Sequence, residues 1–491
     1  MTDSVPRARG LLLGAAVRPL GAFPSGWRID GAHHDPLAEP AALRRLAAEA
    51  ERAHLHLLFF GDWLATGPEL EFTDPYLLAR VDPLSAVAYL AALTERIGLI
   101  ATVSTSHSDP FAVARSASSI DQLSAGRLGL NLVAGSEPGA EANQRINGAG
   151  LGRHEVAEEY LEVLRGLWDS WDDEAVVADA AGGVLLDHTL IRTLDQTEGA
   201  FRVAGPALTP RPVQGQIPIV HADVSARARR FSATHADVHL VSPAGVEDGI
   251  RIVSEVRAAA RDRGRDPADL AVLVPVLPII APTREEAWAL YDRLVELVPV
   301  SGPGAPAGVP DDRTDTAIRR VVGVPMLVRG LDDVVSESDA GRFTAAGVRL
   351  LEIVRQRSGR VPGGHRPVTY RHLLIARLFT MPVIVGSPAD VADHLATWFA
   401  RGAADGFLVQ SAFLHEQFEA FTRTVVPILV ERGLFRAEYT ATTLRGHLGL
   451  SRPERQQHPA RDRSVAPRPS LNDRTPPVAS AFDGVVGLFT N

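Results

Sequence analysis

The stretch IPIVHADVSARARRFSATHADVHLV, residues 217–241, runs from a short apolar segment through small residues and a serine into a helical pattern, then back to an apolar run. A serine where a helix opens can do two things. Its hydroxyl can cap the first turn, for which serine is among the best residues. It can also join the free N–H groups of that turn in receiving a phosphate, which the helix dipole favours. Arg227 and Arg229 would add positive charge, and Asp223 would repel an anion. On spacing alone Ser225 reads as the cap. Asp62, in FFGDWL, reads either as a turn residue or as a hydrogen-bond partner for a polar ring. Asn131, in LNLV, is a polar residue inside an apolar run; a buried amide needs partners, so it either ties neighbouring segments together or binds a ligand. The cluster ATVSTSHSDP (101–110) holds Thr102 and Ser104, with ordinary turn chemistry as its plainest explanation. His107 and His154 carry imidazoles, the side-chain group suited to moving protons near neutral pH, though a structural hydrogen bond is the simpler role for each.

Other chemistries are excluded by what is missing. The chain of 491 residues has no cysteine, so disulfides, thiolate metal sites and thiol nucleophiles are out, and a reducing cytoplasm is the expected setting. GAHHDP (31–36) and the pair His235/His239 hint at metal, but the second pair spans a helix–strand junction and no HExxH occurs, so no metal is expected. There is no GxSxG elbow, no Walker loop and no GxGxxG after a strand. A net charge of −9 argues against nucleic acid as a partner. The longest apolar run, residues 270–281, is too short for a bilayer and carries prolines.

The elements that must position these residues are short, continuous apolar runs. They lie at 10–17, 55–60, 97–103, 127–133, 217–220, 237–241, 270–280 and 405–410. Continuity rather than alternation predicts parallel strands buried on both faces. The first run is read as a strand rather than the apolar core of a leader, because Arg18 and Pro19 follow at once. Amphipathic stretches such as 40–53 and 390–403 fill the gaps. Eight strands joined by helical crossovers predict an α/β fold, a (β/α)₈ TIM barrel over residues 1–450, with a doubly wound open sheet as the alternative. Insertions are expected at about 135–216 and 282–400, the second with a Pro/Gly-rich lid or loop at 298–315. The Arg/Pro-rich tail 451–491 reads as disordered. In a barrel, reactive groups gather where strands end. That rule brings Asp62, Thr102, Asn131 and Ser225 to one mouth.

Several segments resemble the bacterial luciferase-like monooxygenases, in the branch of the nitrilotriacetate, dibenzothiophene-sulfone and pristinamycin-type enzymes. The matching stretches include FFGDWLA, LTERIGLIATVSTSHSDPFAVARSASSIDQLSAGRLGLNLV, YLEVLRGLWDSWDDEA, VIVGSPADVADHLATWFARGAADGF and VVPILVERGLFRAEYTATTLRGHLGL, in order up to about residue 450. The resemblance implies a flavin-dependent two-component monooxygenase that uses FMN, as FMNH₂ supplied by a separate NAD(P)H:flavin reductase, with O₂ as co-substrate. It implies a flavin C4a-(hydro)peroxide, insertion of one oxygen atom into a small organic substrate, and a homo-oligomer. Carried over by position, it places Asp62, Thr102, Ser104, Asn131 and Ser225 around the flavin, with Ser225 receiving the phosphate.

The chain also departs from the family pattern. His154 stands where the family usually has a flavin-contacting Tyr, and Gly150 where it has a His. The approach to the phosphate is ADVS with Ala228, so Asp223 replaces a Gly. Ala134 and Gly135 replace a Thr–Ser pair, and Pro24 replaces a His ahead of the retained Trp27 and Arg28. His154 could still donate to a phosphate or ring carbonyl. The departures motivate a second reading, a non-catalytic, flavin-impaired member acting as a binding or partner subunit. A third keeps the enzyme and substitutes deazaflavin F420.

Overall fold

Each of the eight apolar runs forms a strand in the computed structural model, and all eight close into one parallel barrel. The structure describes residues 10–64, 79–134, 152–222, 226–298, 318–319, 322–323, 330–378 and 382–455. The barrel strands are β1 (Leu12–Ala16), β2 (Leu57–Phe60), β3 (Gly98–Ser104), β4 (Leu128–Val133), β7 (Ile219–Ala222), β8 (Val238–Leu240), β9 (Ala271–Ile280) and β11 (Gly406–Val409). They neighbour one another in that order, and β11 pairs back onto β1. Closure rules out the open sheet. The register gives the stagger. From Asn131 the pairs lead through Val220, Val238 and Ala271 to position 404 on the β11 segment. In the other direction they lead through Thr102, Gly61 and Arg18 to position 412. The two routes differ by eight residues, the shear of a (β/α)₈ barrel.

Some of the crossover helices begin where the sequence supplies a side-chain cap. The first crossover helix is α1 (Glu39–Arg52); Asp82 and Asp109 accept from the third backbone N–H beyond them, each followed by a proline at the first helical position, opening α2 (Pro83–Ala91) and α3 (Pro110–Leu123). After β4 comes α4 (Arg153–Trp168), and after β7 and β8 come α5 (Ala226–His235) and α6 (Val246–Arg261). The insertion after β4 carries a hairpin, β5 (Val176–Asp179) and β6 (Val184–Leu186). The insertion after β9 holds α7 (Arg284–Glu296), α8 (Ala345–Ser358) and α9 (Tyr370–Leu378), then β10 (Val383–Gly386) and the last crossover helix α10 (Pro388–Ala400).

β9 has two jobs. Its first half pairs with β8 and β11 in the barrel, while its end, Leu277 to Ile280, pairs with β10. A second apolar core, with Tyr291, Leu294, Leu350, Leu373 and Phe413, packs there. The expected lid segment 298–315 lies, from residue 299 on, outside the described residues, as does the tail from residue 456.

Alternation sorts the barrel residues. Leu128, Leu130 and Leu132 face the helices, while Leu12, Leu57, Phe59, Ile100, Val220, Val238, Leu273 and Leu408 fill the lumen. The lower end of the lumen is closed by α11 (Leu444–His447). Leu444 fits there because Gly98 and Gly129 lack side chains: a Cβ on either would come within 2.5 or 2.7 Å of a Leu444 methyl. Among the described residues, no helix is long and apolar enough to cross a membrane.

Candidate active site at the barrel mouth

The strand parity that sends Ile100 into the lumen also sends Thr102 and Ser104 inward, one and two layers nearer the C-terminal mouth. On β4 the inward positions are Gly129, Asn131 and Val133. Thr102 and Asn131 are register partners. The Asn131 Nδ2 donates to Thr102 Oγ1 at 2.9 Å, and both residues are buried. The Asn131 Oδ1 is buried without a hydrogen-bond partner. An unpaired buried carbonyl oxygen costs about 1–3 kcal/mol, and this atom could accept from a ligand bearing a donor.

Just above, the Ser104 hydroxyl lies 2.9 Å from His107 Nδ1. Ser108 donates to the Ser104 carbonyl at 2.7 Å and accepts from the Tyr160 hydroxyl at the same distance. Burial pushes the Tyr160 phenol well up, so it stays protonated and donates. The chain Tyr160–Ser108–Ser104 thereby fastens the loop after β3 to α4.

Asp62 follows β2. Its carboxylate accepts from the Trp63 N–H at 2.9 Å and lies 3.0 Å from the Arg80 guanidinium, with both side chains largely covered. Arg80, a partner that sequence reasoning missed, also donates to the Trp63 carbonyl. Together these contacts fix the turn that carries Asp62 at the end of its strand.

Ser225 and Asp223 lie outside the described residues, as do Gly135 and Gly150. The helix that Ser225 was expected to open, α5, begins at Ala226. Arg227, one of the two arginines considered for an anion, is 3.0 Å from Glu155 on α4, so the first turns of α4 and α5 stand side by side. His154, also in that turn of α4, is half-buried. Arg229 lies 3.9 Å from Glu255. At the retained Trp27–Arg28 pair, Ser25 donates to the Leu294 carbonyl at 2.5 Å and Arg28 to the Leu297 carbonyl. The loop after β1 is thus held against α7.

Gln410 is a second residue that sequence reasoning passed over. It continues β11, where Gly406 and Leu408 face the lumen, and its N–H donates to the Val276 carbonyl at 2.8 Å. Parity turns its side chain inward, and its Oε1 is buried without a hydrogen-bond partner.

A closed parallel barrel with polar groups gathered at the C-terminal ends of its strands is common to many enzymes. The sequence itself decides among them, because residues 23–405 match the family model of the luciferase-like monooxygenases. The chain belongs to that family. It is 31% identical to the N-acetyl-S-(2-succino)cysteine monooxygenase of Bacillus subtilis (strain 168), over 91% of this chain and 98% of the relative. It is also 31% identical to the dibenzothiophene-sulfone monooxygenase of Rhodococcus erythropolis, over 88% and 95%. Among solved structures, the EDTA monooxygenase of Chelativorans sp. BNC1 superposes with a TM-score of 0.69 at 28% identity, over 90% of this chain and 99% of that one. As a luciferase-like monooxygenase, this chain is a flavin-dependent oxygenating enzyme, and the mouth of its barrel is where such an enzyme's chemistry belongs.

Proposed function

We propose that this chain is the oxygenase of a two-component system. It takes FMNH₂ from a separate NAD(P)H:flavin reductase, uses O₂, and oxidises a small organosulfur compound. One oxygen atom enters the substrate, the other leaves as water, and FMNH₂ becomes FMN. The observation that carries the cofactor half of this reading is the partnerless Asn131 Oδ1, beside Thr102 on the inner wall of β3 and β4. A flavin ring presents an N–H donor between two carbonyl acceptors, and an amide–hydroxyl pair offers the complementary groups. Asp62 sits one strand away at the end of β2, and Ser225, which directly precedes α5 in the sequence, is the proposed phosphate receiver. The organosulfur class rests on the named substrates of the two 31%-identical relatives.

FMNH₂ with O₂ would supply the activated oxygen; the chain's residues orient and insulate it. Thr102 and Asn131 hold the ring's polar edge. The Tyr160–Ser108–Ser104 chain keeps the β3 loop from sagging into the site. The apolar lumen below, with Phe59, Ile100, Leu273 and Leu408, excludes water from the reacting face. We further propose that the enzyme works in a reducing compartment as a homo-oligomer.

The test is an anaerobic titration with FMNH₂, followed by reductase-coupled O₂ uptake with N-acetyl-S-(2-succino)cysteine. Saturable binding and substrate-dependent uptake support the proposal. A chain that binds no reduced flavin returns the protein to the non-catalytic reading, and binding without uptake on any organosulfur compound removes the substrate class alone.

A further inference from the structure

We propose that Gln410 determines substrate specificity: its amide oxygen receives an N–H donor carried by the substrate, on the wall facing the flavin. This rests on the proposed flavin site at Thr102 and Asn131.

The placement follows from the ring of strands. β4 and β11 are four strands apart in either direction, so they stand on opposite walls. At the level of Asn131 the register reaches position 404 one way and 412 the other, and the mean of these is 408. Gln410 is two residues further along, which at the usual strand rise and tilt puts it about 5 Å nearer the mouth. A ring held by Thr102 and Asn131 would therefore have Gln410 across from it and slightly above. That is the side from which a second, smaller molecule must approach.

The chemistry follows from what surrounds the amide. Gln410 is 9% exposed and its neighbours on the same face, Leu408 and Leu277, are apolar. Its backbone N–H is used by Val276, yet its Oε1 is buried and unpaired. An apolar residue would fill that position without the desolvation penalty. A carbonyl oxygen held there selects for a donor, and a site built around a buried acceptor discriminates strongly against analogues that lack the matching N–H. A neutral acceptor suits an amide N–H, the group that an N-acylated amino-acid thioether presents.

The experiment uses the full chain with FMNH₂ under anaerobic conditions, so that no turnover occurs. Two probes are titrated by calorimetry: N-acetyl-S-(2-succino)cysteine, and its analogue with hydrogen in place of the acetamido group. Wild type should bind the amide probe at least tenfold more tightly. Gln410→Met, which keeps the shape and removes the amide, should weaken the amide probe about tenfold and leave the analogue within about twofold. FMNH₂ affinity should stay unchanged, and the melting temperature should hold or rise, since an unpaired buried group has been removed. A Gln410 that serves only the fold would instead lower the melting temperature and weaken both probes equally. Either that pattern, or equal affinity of wild type for the two probes, or no binding of the amide probe to FMNH₂-loaded wild type, overturns the inference. Loss of FMNH₂ binding by wild type would instead strike the flavin site itself.

Discussion

A side-chain amide at the floor of the barrel and two at its mouth are treated differently. At the floor, Gln214 uses both ends. Its Nε2 donates to Asp121 Oδ1 at 2.7 Å and to the Leu128 carbonyl at 2.8 Å, and its Oε1 accepts from the Arg445 N–H at 2.8 Å. At the mouth, Asn131 and Gln410 each keep a buried oxygen with no partner. The same residue class is thus structural where the fold saturates it and available where the fold leaves it unpaired. The floor amide locks α11, which plugs the lumen beneath Leu444. On the proposed reading, the mouth amides keep capacity for the flavin and the substrate.

The sharpest way to break this contrast is at the floor. Gln214→Leu would strip partners from the Asp121 carboxylate, the Leu128 carbonyl and the Arg445 N–H at once. Loss of about 3–5 kcal/mol of stability is expected, measured by denaturant unfolding. A loss no larger than that of Asn131→Leu would erase the distinction between the two regions.

A smaller effect should appear with pH. Burial, against the opposing hydrogen bonds from Gln214, raises the Asp121 carboxyl from 3.8 to about 6. The folded state therefore holds a proton that the unfolded chain has released. The associated stabilisation is complete below about pH 3.8 and lost as pH rises through 6. The loss amounts to ~3 kcal/mol at most. Unfolding free energies of wild type should decline between pH 4 and 7, and Asp121→Asn should flatten that slope. An identical slope in the variant would show that another group is responsible.

At the mouth, Asn131→Leu should change stability by no more than about 1 kcal/mol, because it loses the bond to Thr102 together with an unpaired oxygen. Its affinity for FMNH₂ should fall about tenfold, or about 1.4 kcal/mol, by anaerobic titration. Unaltered FMNH₂ affinity would mean that the partnerless oxygen does not meet the ring.

The contrast also explains what the sequence revealed and what it hid. All eight barrel strands were legible because strands buried on both faces must be apolar throughout. β10 was not, because VIVG is a four-residue run whose partner is the second half of a strand already spoken for. The hairpin Val176–Leu186 escaped too, since its valines are half-exposed and carry no burial pattern. Asn131 stood out as a polar residue in mid-run. Gln410 has the same chemistry but closes its run, where polar residues are ordinary, and only parity and the missing partner single it out. The floor lock was invisible because Asp121, Gln214 and Arg445 are far apart in the chain, and nothing local in any of them signals the other two.

The smallest expected effect lies at the edge of the mouth, and it separates charge near a site from charge in it. Arg227 reads in sequence as a phosphate partner, yet its guanidinium faces Glu155 across an exposed gap of 3.0 Å. The Glu155 carboxyl is held below its usual value, first by the Gly152 N–H and then by Arg227, so it stays ionised at neutral pH. An arginine already paired with a carboxylate has little net charge left for an anion, and exposed pairs are screened by salt. Arg227→Met should therefore leave the preference for FMNH₂ over reduced riboflavin within about twofold of wild type, with no resolvable change in melting temperature. A collapse of that preference would show that Arg227 leaves Glu155 when phosphate binds. The first turns of α4 and α5 would then belong to the site rather than to its frame.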